Sequence, residues 1–212
     1  MSILLEYYRS GGPVMHVILV LAVLGLGVFL ERAWVIITNS KGSDRAFIEK
    51  VVVLARAGKT DEAVRLCHSH KTAMTYIGEL VLRSPSRSES DLQNAADAAS
   101  VASLPTLTRR LHYLPMLANV ATLCGLLGTI FGLREAFGSV ALVSAAERSG
   151  KLASGIAIAL NATGFGLMVA IPLSLAHAWL TSRAERLIER ADEFSVRLIT
   201  ALSTKASEGR ES

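Results

Sequence analysis

Two sets of small and polar residues recur at helical spacing in stretches that carry no charge. The first is Asn119, Thr122, Leu126, Thr129, Leu133 and Ala136, with Gly125 and Gly132 beside it. At about 100° per residue these fall on one side of a helix. The second is Gly155, Ala159, Thr163, Gly166, Ala170, Ser174 and His177, within about 100° of arc. Two readings fit such stripes. One is a lining for an ion or proton path. The other is helix packing, because small residues let backbones approach and a threonine can bond its own i−4 carbonyl. Gly128 and Gly132 make a GxxxG pair. Asn161 is a full amide in the same stretch, well away from the Thr163 stripe, and a clamp to another helix is the role that suits it. Neither stretch holds an ionisable group near its middle, and a proton relay needs one. If this chain moves protons, a partner must supply the titrating carboxylate.

Other chemistry has little to work with. There is no HExxH, no P-loop and no GxSxG, so no catalytic residue is assigned, and no cofactor. His68 and His70 stand two apart, on different faces of a helix, which argues against a metal pair; no metal site is assigned. His16 and His112 lie near the ends of apolar stretches, where an amphipathic ring is comfortable. Cys67 and Cys124 form no CxxC and no metal-ligand spacing, and read as free thiols. The net charge of +4 comes with no basic patch interleaved with aromatics, so nucleic acid is not an expected partner.

The elements that must position the stripes follow from the distribution of charge. Only 19% of the 212 residues are charged and 51% are hydrophobic, against about 25% charge in a soluble domain. Ser10–Leu30, Leu111–Leu133 and Leu152–Ser182 hold 21, 23 and 31 residues without Asp, Glu, Lys or Arg. About 20 apolar residues cross a hydrocarbon core, so the pattern predicts three transmembrane helices and excludes a one-domain soluble enzyme. The apolar run from Val14 to Leu30 is longer than the h-region of a signal peptide and has no small-x-small cleavage site after it, so it reads as a retained anchor. Lys and Arg number one before the first span, eleven in 38–110, three between the second and third spans and six after Ser182. The positive-inside rule then places 38–110 and the C-terminal tail in the cytoplasm.

The fold class expected is all-α, a three-span polytopic membrane protein with a helical cytoplasmic domain. The divisions are a tail at 1–9, spans at 10–37, 111–133 and 152–180, a cytoplasmic domain at 38–110, an outer loop at 134–151 and a cytoplasmic tail at 181–212. Within 38–110, Ser43-Asp44 caps a helix through Phe47, Val51, Leu54 and Ala55, and Gly58 ends it. Thr60-Asp61-Glu62 starts another. Ser88-Glu89-Ser90-Asp91 resembles a capping box, opening an Ala-rich helix that runs on into the second span with Pro105 and Pro115 as kinks. The tail places Leu187, Ala191, Phe194 and Leu198 on one face, as a packed extension of the third span. Fraying is expected from Ser203.

The run from Leu117 to Gly132 (LANVATLCGLLGTIFG) resembles the second-span motif of the TolQ/ExbB/MotA proton-channel family, and the run from Gly155 to Pro172 (GIAIALNATGFGLMVAIP) resembles its third-span motif. Gly11-Gly12-Pro13-Val14-Met15 and Leu30-Glu31-Arg32-Ala33-Trp34 are similar to the first-span borders of the ExbB and TolQ branch. That branch has three spans, whereas MotA has four. Two positions depart from it: Thr122 stands where relatives commonly have Pro, and Ile158 where they have an intramembrane Glu.

The resemblance implies a multi-pass protein of the bacterial inner membrane, N-terminus periplasmic and C-terminus cytoplasmic. It implies a homopentamer whose second and third spans line a pore around the helix pair of an ExbD/TolR-like single-span partner. Protons would pass through that partner's Asp beside Thr129 and Thr163, with Thr122 and Ser174 along the same path. Their flow would drive mechanical work at the cell envelope, in transport, envelope integrity or motility, through a TonB/TolA-like or motility effector. Gly125, Gly128, Gly132, Gly155, Ala159, Asn161 and Gly166 are assigned to packing in the oligomer. The alternative is a non-conducting membrane scaffold, for which Ile158 is the best argument. A solute transporter working alone is disfavoured by the lack of a midplane charge or an inverted repeat.

Overall fold

The computed structural model describes residues 12–40, 44–140 and 144–211, with side chains as far as Thr204. Eight helices occur among them and no strand: α1 (Val14–Ser40), α2 (Arg45–Arg56), α3 (Thr60–His68), α4 (Ala73–Leu82), α5 (Glu89–Ser103), α6 (Pro105–Thr108), α7 (Tyr113–Val140) and α8 (Arg148–Glu211). The protein is all-α. Stretches long and apolar enough to cross a membrane lie in Val14–Ser40, within Glu89–Val140 and within Arg148–Thr204. The chain divides into two compact units. One takes residues up to Glu31 and Arg110–Trp179; the other takes Arg32–Arg109 and the chain from Leu180.

The first unit holds the charge-free helices. Val14, Met15 and Ile18 of α1 bury against Ala121 of α7 and Phe165 of α8. Its outer surface is apolar, with Val23, Leu160 and Leu175 exposed. That is the pattern of helices in hydrocarbon, where no water penalises an exposed leucine.

The second unit packs like a soluble domain. Ile48 and Val51 of α2, Cys67 of α3, Ile77 of α4 and Leu92 of α5 surround Phe194 and Leu198 of α8. The tail face foreseen from its spacing, Leu187, Ala191, Phe194 and Leu198, is buried throughout. Burial, with the negative charge of Glu79 adding to it, pushes the Cys67 thiol up to about 12. It therefore stays protonated and unreactive at neutral pH. The helix runs on to Glu211, past Ser203, where fraying was expected, because a packed α8 carries its last turns along.

Local signals were met unevenly. Gly58 takes φ 77°; its N–H donates to the Ala55 carbonyl and that of Lys59 to Leu54. This is a Schellman ending to α2, as its glycine predicted. Asp44 is the N-cap of α2 but makes no side-chain cap bond; Ser43 lies outside the described residues, as do Gly11 and the tail at 1–9. Ser88 does not form the expected capping box either: its hydroxyl meets that of Ser90 at 2.9 Å. The box occurs instead at α4, where Thr72 and Thr75 cap each other reciprocally.

The long helix expected to run from Ser88 into the second span is broken. α5 ends at Ser103, α6 is one turn, and the helical path is interrupted at Arg109–His112, with Arg110 at φ 65°. Pro105 starts α6 and Pro115 sits in the first turn of α7, where a missing N–H is harmless. Leu104 between α5 and α6 keeps helical dihedrals, φ −62° and ψ −34°, so Pro105 kinks that run as expected, whereas Pro115 only opens α7. Within the second unit the break is held by Arg32, only 6% exposed. Its Nη1 donates to the carbonyls of Arg109 at 2.8 Å and Thr106 at 3.4 Å. A hydrogen bond from a charged donor contributes roughly 1.5–3 kcal/mol. Arg32→Met should therefore lower unfolding stability by about 2 kcal/mol, read by thermal denaturation in detergent. An unchanged midpoint would show that the carbonyls find water instead.

Candidate functional site: the seam of the second and third spans

The small residues of α7 and α8 are brought together, and they face each other within one chain. Gly125, Gly128, Gly132 and Ala136 are buried on α7; Gly155, Ala159, Ala162 and Gly166 are buried on α8. Each set follows a spacing of three, four or seven, so each forms one ridge. The fit leaves no room for a methyl group. A Cβ added at Gly132 would lie 2.8 Å from the Ala159 nitrogen and 3.0 Å from the Gly155 carbonyl oxygen. One added at Gly166 would lie 2.8 Å from the Ala121 carbonyl oxygen, and one at Gly125 3.1 Å from that of Ala162. One at Gly128 would run into the Ala162 methyl, and one at Gly155 into the Ala136 methyl. Glycine is needed here for close approach of two backbones, as in GxxxG contacts. Within one chain the face opposite these residues is the other span.

The hydroxyls sit at the edge of this seam. Thr163 Oγ1 donates to the Gly125 carbonyl at 3.1 Å, across the two helices. Thr122 Oγ1 donates to Ala118 at 3.1 Å and Thr129 Oγ1 to Leu126 at 2.6 Å, each within α7. Every one of these threonines has its single O–H on a backbone carbonyl and keeps oxygen lone pairs that can accept. Ser174 is exposed and Asn161 half-buried. His177 Nδ1 lies 3.1 Å from the Leu111 carbonyl, which ties the end of the α8 stripe to the start of the second span.

The two stripes therefore split. On α7 the glycines turn into the seam, while Asn119, Leu126 and Leu133 are exposed and Thr122 half-buried. On α8 Gly155, Ala159, Gly166 and Ala170 are buried and Thr163 half-buried. The seam residue missed in the stripes is Ala162. Its signal is present, for Gly155, Ala159, Ala162 and Gly166 repeat at four, three and four residues. Ile158 is half-buried, and its Cγ2 would lie 3.7 Å from a Cβ added at Gly12. Among the described residues no group of three His, Cys, Asp or Glu side chains is placed to hold a metal.

The profile of the MotA/TolQ/ExbB proton channel family matches residues 68–193, which include the seam residues of both helices. An ExbB homolog of Methanothermobacter thermautotrophicus is 28% identical over 188 residues, covering 89% of this chain and 66% of the relative. An ExbB-like protein of Synechocystis is 31% identical over 164 residues, covering 76% of this chain and 77% of the relative. The Tol-Pal system protein TolQ of Pseudomonas aeruginosa is 42% identical over 88 residues, 38% of each chain. Its relatives are channel and transport-associated proteins rather than enzymes. With three apolar spans, a shared second and third helix, and a match over more than half its length, the chain is a membrane protein of the MotA/TolQ/ExbB proton channel family.

Proposed function

We propose that this chain is the ring-forming subunit of a proton-driven motor of the cell envelope. The ring is a homo-oligomer, a pentamer by analogy, and it surrounds the helix pair of an ExbD/TolR-like partner. Protons enter the cell through an aspartate of that partner, beside Thr129 and Thr163, with Thr122 and Ser174 on the same route. The membrane is the bacterial inner membrane, with the N-terminus periplasmic and the C-terminus cytoplasmic. Each proton releases about 2.3 kcal/mol per 100 mV of potential. That energy moves the partner against the ring and so drives transport, envelope integrity or motility.

The observation that carries this reading is the absence of charge from 111–133 and 152–182 in a chain of a proton channel family. The titrating group must then belong to another chain, and a neutral wall will not trap a moving charge. The glycine seam supports it further, because α7 and α8 form one close-packed pair that can act as a wall unit. Their outer leucines are left for lipid, neighbouring copies and the partner.

Liposomes carrying the chain alone should hold a pH gradient, since no side chain of the spans relays protons. Liposomes carrying it with the co-purified single-span partner should dissipate the gradient when a potential is applied. Equal retention in both would favour the second reading, a non-conducting scaffold, which Ile158 in place of an acid supports. A rapid leak through the chain alone would defeat the argument from the neutral wall.

A further inference from the structure

We propose that a groove in the second unit docks the acidic outer face of α5 from a second copy of this chain. The groove encloses about 420 Å³ between α2 and α8, and Arg45, Arg186, Arg190 and Arg197 line it. Glu49, Glu189 and Glu193 lie in the same groove. Arg197 is held by Glu193 at 2.5 Å and Arg186 by the Ser182 hydroxyl at 2.7 Å. Among the described residues, Arg45 and Arg190 have no acidic oxygen at ion-pair distance. Arg186, Arg190 and Arg197 are spaced by four and seven, so they share one face of α8. The groove therefore presents guanidinium groups, those of Arg45 and Arg190, that no acid among the described residues pairs.

The complementary surface lies elsewhere on the same chain. α5 carries Glu89, Asp91 and Asp97 and no Lys or Arg. Its Leu92, Ala96, Ala99 and Ser103 are buried. Asp97, Ala98, Val101 and Ala102 are exposed, Val101 to 78%. Asp97 accepts a hydrogen bond from the neutral Gln93 at 3.0 Å, which leaves its charge unopposed. The short alanines beside it let a long arginine reach the helix. Because α5 is fixed by its inner face in the same core as α2 and α8, its outer face points away from that core and meets no groove of its own chain. It can enter only the groove of another copy. Such a contact joins two different surfaces, so it repeats head to tail, the kind of contact from which a ring is built when the rotation between copies closes. The three glutamates of the groove disfavour a phosphate-rich ligand in its place, more than a helix whose few acids are spread from Glu89 through Asp91 to Asp97.

This inference rests on the ring proposed above and adds its contact outside the membrane. The full chain is purified in mild detergent, and native mass spectrometry first establishes whether it is oligomeric. In a Cys67→Ser, Cys124→Ala background, Asp97→Cys and Arg190→Cys are introduced together and treated with a short bis-maleimide. A guanidinium–carboxylate pair holds its backbones too far apart for a direct disulfide. A ladder of linked chains is expected from the pair and none from either cysteine alone. Separately, Arg186→Glu with Arg190→Glu, and Asp91→Arg with Asp97→Arg, should each lower the oligomer fraction about tenfold at low salt. All four changes in one chain should restore it to within about twofold, which a misfolded variant would not do. An intact oligomer with no ladder overturns the docking and spares the ring. A monomeric unmodified chain overturns both. Reversals without effect on the oligomer show that the two surfaces are only solvated.

Discussion

Replacing Thr163 with valine is expected to abolish proton flux through the assembled complex while complex yield stays within about threefold of the parent. Valine keeps the branched shape and loses only the hydroxyl. That hydroxyl donates to the Gly125 carbonyl across the seam, and such contacts in membranes average about 0.6 kcal/mol. The loss of packing energy alone is therefore small. The lone pairs of Oγ1 stay available to accept from a carrier's acid or its water. An acid in an apolar wall without hydrogen-bond partners resists ionising, so removing them stalls transfer. Thr129→Val should weaken flux without abolishing it, its hydroxyl being bound within its own helix. Asn161→Leu is the contrasting change, on the side of α8 away from Thr163. It should reduce oligomer stability more than flux per complex. Normal flux in Thr163→Val would reduce the stripe to packing, and the proposed path would be abandoned.

The second large effect is expected at the seam itself. Gly132→Ala and Gly166→Ala should each destabilise the spans by about 1–3 kcal/mol, the usual range for overpacking. The atoms that the new methyl would meet at under 3 Å are the Ala159 nitrogen and the Ala121 carbonyl oxygen. Both belong to backbone and cannot rotate away, so the helices must part and forfeit the contacts that hold them. Gly27→Ala is the control, because a Cβ there meets nothing within 4 Å. Gly128→Ala offers a finer test: its obstacle is the Ala162 methyl, and Ala162→Gly in the same chain should recover most of the loss. Thermal unfolding in detergent reads all of these. If Gly132→Ala unfolds like Gly27→Ala, the two helices are not closely packed.

The three spans were legible from composition, because a run free of Asp, Glu, Lys and Arg and over 20 residues long has few other uses. The end of α2 was legible because only glycine takes φ 77° without strain at the position of Gly58. The buried face of the tail was legible from 3.6-residue spacing. Other features were decided by atoms that spacing does not encode. The break before α7 turns on Arg110 in a left-handed conformation, a residue type that carries no such signal, and on an Arg32 that answers backbone carbonyls. Ser88 stands at a helix start in a capping sequence, yet its hydroxyl turned to Ser90, since an exposed serine has several partners of similar energy. The stripes were correct in their angles but silent about what lies opposite. Gly125 and Thr129 sit close together on one helix surface; one turned into the seam and the other stayed at its edge. Periodicity tells which residues share a face, and only packing tells which other surface, in this chain or in another, comes to cover it.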